Sequence, residues 1–447
     1  MHTETLARHI VETDLQHLPK EALNEARRSF LNWLGVAVGG ARHPAVEKAL
    51  QVVRLFSREP QASVMGRPVK VDMWSAALLN GLSSHVFDFD DTLLETVLHP
   101  SAPIYPAILA YAEHEGLDGY AVLASFVLGC EVAARVARML YPSHYERGWH
   151  ITGTAGAIGA AAAVGKLMEL DVERMTYAIG LAASQPTGLR EMFGTMTKPF
   201  HPGKAAANGL FSALLAREGF TSSRAALEGK RGYGPVLSEE PDFAALHQQW
   251  GDSWLVTENS YKPFACGIVM HPAIDGMIRM RQYGFVPEQI AEVRLFVHPL
   301  VLELTGKQEP KNGLEAKFSV YHGAAVGFLD GKAGERQFSS ERVNHSDVVQ
   351  LRRKVHAEID PQLDADQARI VLRTTDGGTY EVFVEHAVGS KMRPMTDEEL
   401  KDKFCDLTQD VLSADALQQI FQLVDELQGL KDIRTLTQNV MDAVSSR

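Results

Sequence analysis

Only three cysteines occur in 447 residues, Cys130, Cys266 and Cys405. They stand far apart, no CxxC joins any two, and an odd count argues against a disulfide framework. Positive charge is also in short supply. Forty-four Lys and Arg face 56 Asp and Glu, for a formal net charge of -12. That balance suits a cytosolic enzyme and is rare in a nucleic-acid binder, so no nucleic-acid partner is expected. An acidic protein can still carry a basic pocket for an anionic substrate. Long hydrophobic runs are missing too. The opening "MHTETLARHIVETD" has no apolar signal core. The longest small-apolar run, "TGTAGAIGAAAAVGKLMEL", is rich in Ala and Gly, bears a Lys, and is too weakly hydrophobic for a membrane span. A cytoplasmic location without membrane contact is the expectation. Nucleotide loops are absent as well: "GTAGAIG" is not GxGxxG after a strand, and "HPGKAAA" lacks the Walker spacing and hydroxyl. No cofactor is expected.

What the chain does have is helix. With 447 residues, 45% hydrophobic and 22% charged, it is a globular enzyme-like chain long enough for two domains. From Pro19 to about Gly251 apolar residues recur at three- and four-residue intervals, as in "PKEALNEARRSFLNWLGVAVGG" and "GYAVLASFVLGCEVAARVARML". Segments such as "HITGTAGAIGAAAAVGKLMELD" and "GKAAANGLFSALLAREGF" are nearly apolar all round, which predicts helices packed on every side. After residue 250 the texture changes. "SWLVTENS", "IAEVRLFVH", "QARIVLRTTDG" and "GTYEVFVEHA" read as strands, the last two joined by a hairpin turn. Two helices interleave, "MHPAIDGMIRMRQYG" and "GLEAKFSVYHGAAVGFLDG". Helix returns at "TDEELKDKFCDL" and "SADALQQIFQLVDELQGL", with Thr396 and Ser413 as N-caps. The fold expectation is mainly α: a large all-helical domain (residues 1–262 and 396–447) with a smaller α+β lid domain (263–395) inserted before the C-terminal helices.

The stretch "VFDFDDT" (86–92) poses the functional question. Asp88, Asp90 and Thr92 match the DxDxT of haloacid-dehalogenase-type phosphatases, which needs the end of a buried parallel strand. Helical pattern precedes it here, and no downstream Lys with a GDxxxD loop follows. Asp88, Asp90 and Asp91, with His85 or His99, are also donors that a divalent ion accepts. Read as a helix, only Asp88 with Asp91 or Thr92 would share a face, and no HxxxH completes a shell. No metal is expected. The plain alternative is that Asp90 and Asp91 cap the following segment.

A wider context decides. "SSHVFDFDDTLLETVLHPSAPIYPAILAYAE", "RGWHITGTAGAIGAAAAVGKLMELD", "GTMTKPFHPGKAAANGLFSALLAREGFT", "YKPFACGIVMHPAID", "EAKFSVYHGAAVGFLDG" and "MRPMTDEELKDKF" resemble the MmgE/PrpD family in order and rough spacing. That family includes 2-methylcitrate dehydratases, cis-aconitate decarboxylases and an iminodisuccinate epimerase. The resemblance implies a large helical domain with a smaller α+β one, a homodimer, no metal cofactor and a small polycarboxylate substrate. A proton must leave or reach a carbon next to a carboxylate, which requires a placed base and cations.

His99 precedes Pro100, so its backbone is biased to be extended at a helix start. His150 stands where a long helix begins. Both match active-site histidines of the family and are the candidate acid and base, although either would serve equally as a capping or surface His. Asp88 and Thr92 match pocket residues, Asp88 orienting a His or binding a hydroxyl. Lys198, in the TKP motif, and more weakly Lys204 and His201, lie in "MTKPFHPGKAAANG". Pro199 and Pro202 predict an irregular loop there, with a helix from about Gly203 whose free N–H groups would help cradle a carboxylate. Lys262, in "SYKPFACG" at the domain junction, matches another family lysine and is expected to enter the pocket when the lid closes. The decarboxylase-like pattern has a His about five residues later, where this chain has Gly267; the nearest is His271. Tyr321 and His322 could reach the cleft from the small domain. Cys266 lacks a triad context and reads as a core thiol. The function expected is a cofactor-independent lyase, foremost a 2-methylcitrate-type dehydratase. An amino-dicarboxylate epimerase, a cis-aconitate-type decarboxylase and a non-catalytic helical scaffold are the alternatives.

Overall fold

The computed structural model describes residues 1–445. The chain is mainly α with a small α+β portion. It divides into two compact units: residues 1–86, 90–259 and 397 onward form a helical unit, and residues 87–89 and 260–396 a smaller one.

The helical unit is built on α1 (Lys20–Gly40), α2 (Met73–His85), α3 (Ser101–Glu115), α4 (Gly119–Leu140), α5 (Ile151–Leu167), α6 (Val172–Ala183) and α7 (Thr197–Arg217). Caps written in the sequence start several of them. Asp72, Asp118 and Asp171 accept the backbone N–H of Ser75, Ala121 and Arg174 at 2.9, 2.7 and 2.8 Å, each worth about 0.5–2 kcal/mol. Gly116 closes α3 in the left-handed region, at φ +71°. The small-residue helices do pack on every side: all of α5 from Ile151 to Gly165 is buried. Where α2 crosses α7 the contact is backbone on backbone. A Cβ on Gly81 would lie 2.6 Å from the Cα of Gly203, closer than real Cβ atoms come. Leu79, Leu82 and Leu210 seal this crossing at 0–2% exposure, each contributing about 1.5–3 kcal/mol.

One local expectation fails here. "TKPFHPG" is not a loop; α7 begins at Thr197 and runs through both prolines. Pro199 stands in the first turn, where no N–H is needed, and Pro202 gives up a single early bond to the Lys198 carbonyl. Lys198 and His201 therefore sit on the opening turns of a rigid helix.

In the small unit, β1 (Ile290–Val297), β2 (Val355–Ile359), β3 (Ala368–Thr374) and β4 (Thr379–Val384) form one sheet in the order β2-β1-β3-β4. β1 and β2 run parallel, with Val293 opposite Val355; the other neighbours are antiparallel, with Val293 opposite Leu372 and Leu372 opposite Tyr380. The β3–β4 hairpin is the one that the glycine turn predicts. Helices α8 (His271–Arg281) and α9 (Val320–Asp330) complete the unit. Three details differ from the sequence reading. "SWLVTENS" forms a single 3-10 turn, Leu255–Glu258, whose Leu255 N–H is taken by the buried Glu131 carboxylate at 2.7 Å and not by a strand. The helix read from Gly313 breaks before α9, where Ser319 caps it by accepting the His322 N–H at 3.2 Å. The β2 strand "VHAEI" was hidden by its charged residues. Three further helices, α10 (Asp397–Thr408), α11 (Ala414–Asp425) and α12 (Arg434–Ser445), return to the helical unit, and Ser413 does cap α11 through the Ala416 N–H.

Candidate active site

The acid-rich stretch is irregular rather than helical, and each of its side chains has a different task. Asp91 is the cap. Its Oδ1 accepts the Ser101 N–H (3.2 Å) and hydroxyl (2.5 Å) at the start of α3, and its Oδ2 accepts from Ser29 and Asn259, both at 2.6 Å. Burial pushes its carboxyl upward while these bonds pull it back. Asp90 instead faces imidazoles. Its Oδ2 lies 2.7 Å from His85 Nδ1 and 3.6 Å from His99 Nδ1, and its side chain is fully buried. His85 closes the last turn of α2.

A tight turn sets Thr92 against His99. The Leu93 N–H donates to the Leu98 carbonyl at 2.8 Å, and Val97 turns the chain at φ +51°, a conformation that strains a β-branched residue. The flanking Thr92 Oγ1 and His99 Nδ1 end 3.1 Å apart. The same Nδ1 lies 2.8 Å from the Asp91 carbonyl. A carbonyl only accepts, so Nδ1 carries the proton and Nε2 of His99 is its basic atom.

His150 is the N-cap of α5 and is 2% exposed. Its Nδ1 lies 2.9 Å from His201 Nδ1 on α7, so one ring donates and the other accepts. Burial lowers the His150 pKa well below the usual imidazole value, helped by His85, Lys198, His201 and His99. His201 falls to about 4 by burial, with His85 and Lys198 adding to it. Both rings are therefore neutral at pH 7. The four imidazoles lie side by side, with ring centres 4.8 Å apart for His85–His99, 5.8 Å for His85–His150 and 5.2 Å for His150–His201. Lys198 stands beside them, its Nζ 5.0 Å from the centre of the Phe193 ring, which His150 touches edge-on at 5.1 Å. Lys198 is 6% exposed.

The remaining sequence candidates have partners of their own. Lys204 packs over the Trp74 ring at 4.8 Å. In the small unit Lys262, 1% exposed, donates to the carbonyl and to Oδ1 of Asp88 at 2.9 and 2.8 Å. Asp88, at φ +53°, presents both oxygens to the same ammonium. Lys317, which the sequence reading passed over, donates to the Phe87 and Ala265 carbonyls, both at 2.7 Å, and to Glu335 at 2.5 Å. His322 is buried against Phe338, with Nε2 2.9 Å from the Gln337 carbonyl. Tyr321 lines a separate cavity of the small unit. Cys266 is a buried free thiol, as read.

The sequence reading weighed His85 and Asp90 only as metal donors or, for Asp90, as a cap, and not as partners of His150 and Lys198. His85 ends an apolar run without punctuation, and no spacing rule connects it to His150. The ligand atoms of His85, Asp90 and His99 lie within 4.8 Å of one another, so these three could hold a divalent ion. As placed, Asp90 is engaged by His85. Chemically, the cluster offers neutral imidazoles that accept or return a proton, a carboxylate that orients one of them, and an ammonium for a developing negative charge.

Two family descriptions match the chain, the MmgE/PrpD N-terminal domain over residues 4–246 and the MmgE/PrpD C-terminal domain over residues 264–428. Similar characterised proteins include the cis-aconitate decarboxylase of Mus musculus, 26% identical over 97% of this chain and 92% of that protein. That of Homo sapiens is also 26% identical, over 97% and 93%. That of Aspergillus terreus is 28% identical, over 94% of this chain and 91% of its own length.

Proposed function

The chain belongs to the MmgE/PrpD family, and from that premise we propose that it is a lyase that moves a proton at a carbon next to a carboxylate of a small polycarboxylic acid. The observation that carries this reading is the buried, neutral His150–His201 pair beside Lys198. A neutral imidazole can take the α-proton. The Lys198 ammonium binds a carboxylate and stabilises the enolate-like charge that forms, in a site shielded from water. In a dehydration the electron pair then expels hydroxide from the adjacent carbon. His99, or an ordered water, protonates that leaving oxygen, so the balance is alkene plus water.

Dehydration of a citrate-like acid is the preferred reaction. The decarboxylase-like pattern places a His at the position of Gly267, and a side chain there would press on Thr305, with its Cβ 3.1 Å from Thr305 Cγ2. Decarboxylation of an unsaturated tricarboxylate is the second reading, favoured by the named activity of the relatives.

The test is incubation with candidate di- and tricarboxylates in deuterated water, with and without a chelator, read by mass. Loss of water supports the first reading and loss of carbon dioxide the second. Deuterium uptake with inversion alone would replace both with an epimerase. Activity lost to the chelator and restored by a divalent ion would hand His85, Asp90 and His99 to a metal.

A further inference from the structure

The small unit contains a cavity that the proposed chemistry does not use. It measures about 500 Å3 and lies between the segment 308–311, the end of the short helix Ser346–Arg352 and the edge strand β2. Pockets of this size hold small ligands. Its walls carry Lys311, Arg352, Arg353 and His356, with Tyr321 and Asn344 as further hydrogen-bonding groups; Glu309 is the lone carboxylate among the lining residues. On a chain with a net charge of -12, three fixed cations around one cavity are a local reversal of sign.

Arg352 makes the case specific. It is 8% exposed, and its guanidinium donates one hydrogen bond, from Nη1 to the Val343 carbonyl at 3.1 Å. Among the described residues, no carboxylate oxygen lies within the 4.0 Å of an ion pair from Arg352, Arg353 or Lys311. Burial lowers the Arg352 pKa; Glu309 opposes it in part, and Arg353 adds to the lowering. A buried guanidinium costs several kcal/mol unless it is paired, and it prefers a bidentate oxyanion partner. Other buried cations of this unit have such a partner within the chain: Lys262 has Asp88 and Lys317 has Glu335.

We propose that this cavity is a second anion site, built for a small polyanion with at least two charged oxygens, either a phosphate or a di- or tricarboxylate. Arg352 and Arg353 would grip the oxygens in forked pairs, Lys311 would add a point charge, and Tyr321 would donate its hydroxyl. The assignment gives Tyr321 a ligand of its own in place of the substrate.

Calorimetric titration of the whole protein with inorganic phosphate, and separately with citrate, tests it. Wild type should show saturable binding of at least one of them. Arg353→Glu should weaken that binding at least about tenfold, because it removes one forked pair and adds repulsion. Lys198→Ala should leave the Arg353-dependent binding unchanged, whatever it does to citrate held by the imidazole cluster. Arg353 is exposed, so this variant avoids the folding risk of changing the buried Arg352. Arg353-dependent binding of phosphate alone identifies a phosphate-type ligand, and Arg353-dependent binding of citrate alone a carboxylate; either supports the site. Absence of saturable binding, wild-type affinity in Arg353→Glu, or loss of the Arg353-dependent binding in Lys198→Ala would each overturn it. The last outcome would mean that the anion occupies the imidazole cluster. None of these readings depends on which reaction the cluster performs.

Discussion

In the helical unit four imidazoles lie side by side near Lys198, and two of them, His85 and His99, face one carboxylate, Asp90. In the small unit two lysines, Lys262 and Lys317, are buried just as deeply, but each is clamped by an acid and by main-chain carbonyls. The first arrangement leaves rings free to change protonation. The second neutralises every charge that it buries. A buried cation with its own acid holds a fold together, whereas a buried cation beside neutral bases prepares chemistry. Removing an acid-clamped lysine should therefore cost stability, and removing a member of the imidazole cluster should cost turnover.

Lys262→Met gives the largest expected break. It strands Asp88 as a buried, uncompensated charge, so stability should fall by about 3–5 kcal/mol in chemical denaturation. Adding Asp88→Asn should restore most of it. A single variant as stable as wild type would show that the clamp is not structural.

Acid should act on both units at once. His144 in the helical unit and His322 in the small one are each lowered from 6.5 to about 4 by burial. Above pH 6.5 these rings are neutral folded or unfolded, so their contribution is fully present. Between 6.5 and about 4 only the unfolded chain takes up the proton, and stability declines by up to about 1.4 kcal/mol per pH unit for each ring. His322→Gln should flatten that decline in denaturation curves taken across the window. An unchanged slope would mean that His322 titrates normally.

His150→Gln should lower turnover at least about a hundredfold, the usual reach of a placed acid or base, with an unchanged unfolding midpoint. Loss of fold and activity together would move His150 to the structural side of the comparison. Lys198→Ala should mainly raise KM, by about 1.5–3 kcal/mol in binding, and a substrate lacking one carboxylate should feel it less. Equal losses for both substrates would remove Lys198 from that carboxylate. The smallest effect concerns Val97, whose left-handed backbone costs about 1–2 kcal/mol. Val97→Gly should recover part of this in thermal unfolding, and lower stability would show that the side chain's packing outweighs the strain.

Much of the fold was legible, because periodicity, the Ser413 cap and the glycine hairpin all act locally. "TKPFHPG" was not, since the tolerance of a first helical turn for proline depends on which groups need no partner there. The site divided in the same way. His99 and His150 stand beside helix starts, and Lys198 sits in a punctuated motif. His85 lies in a featureless run, and its tie to Asp90 exists only because the chain folds back after α2. Asp90 and Asp91 are neighbours with opposite duties, one facing rings and the other capping a helix. Composition treats them alike, and only the path of the backbone separates them.

The crossing of α2 and α7 at Gly81 and Gly203 has a consequence for how this enzyme can change. α2 ends in His85 and α7 carries Lys198 and His201, so the gap between two backbones is the gauge that spaces these side chains. A single methyl inserted as Gly203→Ala would act as a shim, prising the helices apart without touching a reactive atom. Either glycine thus governs the spacing of these side chains from a position outside their cluster.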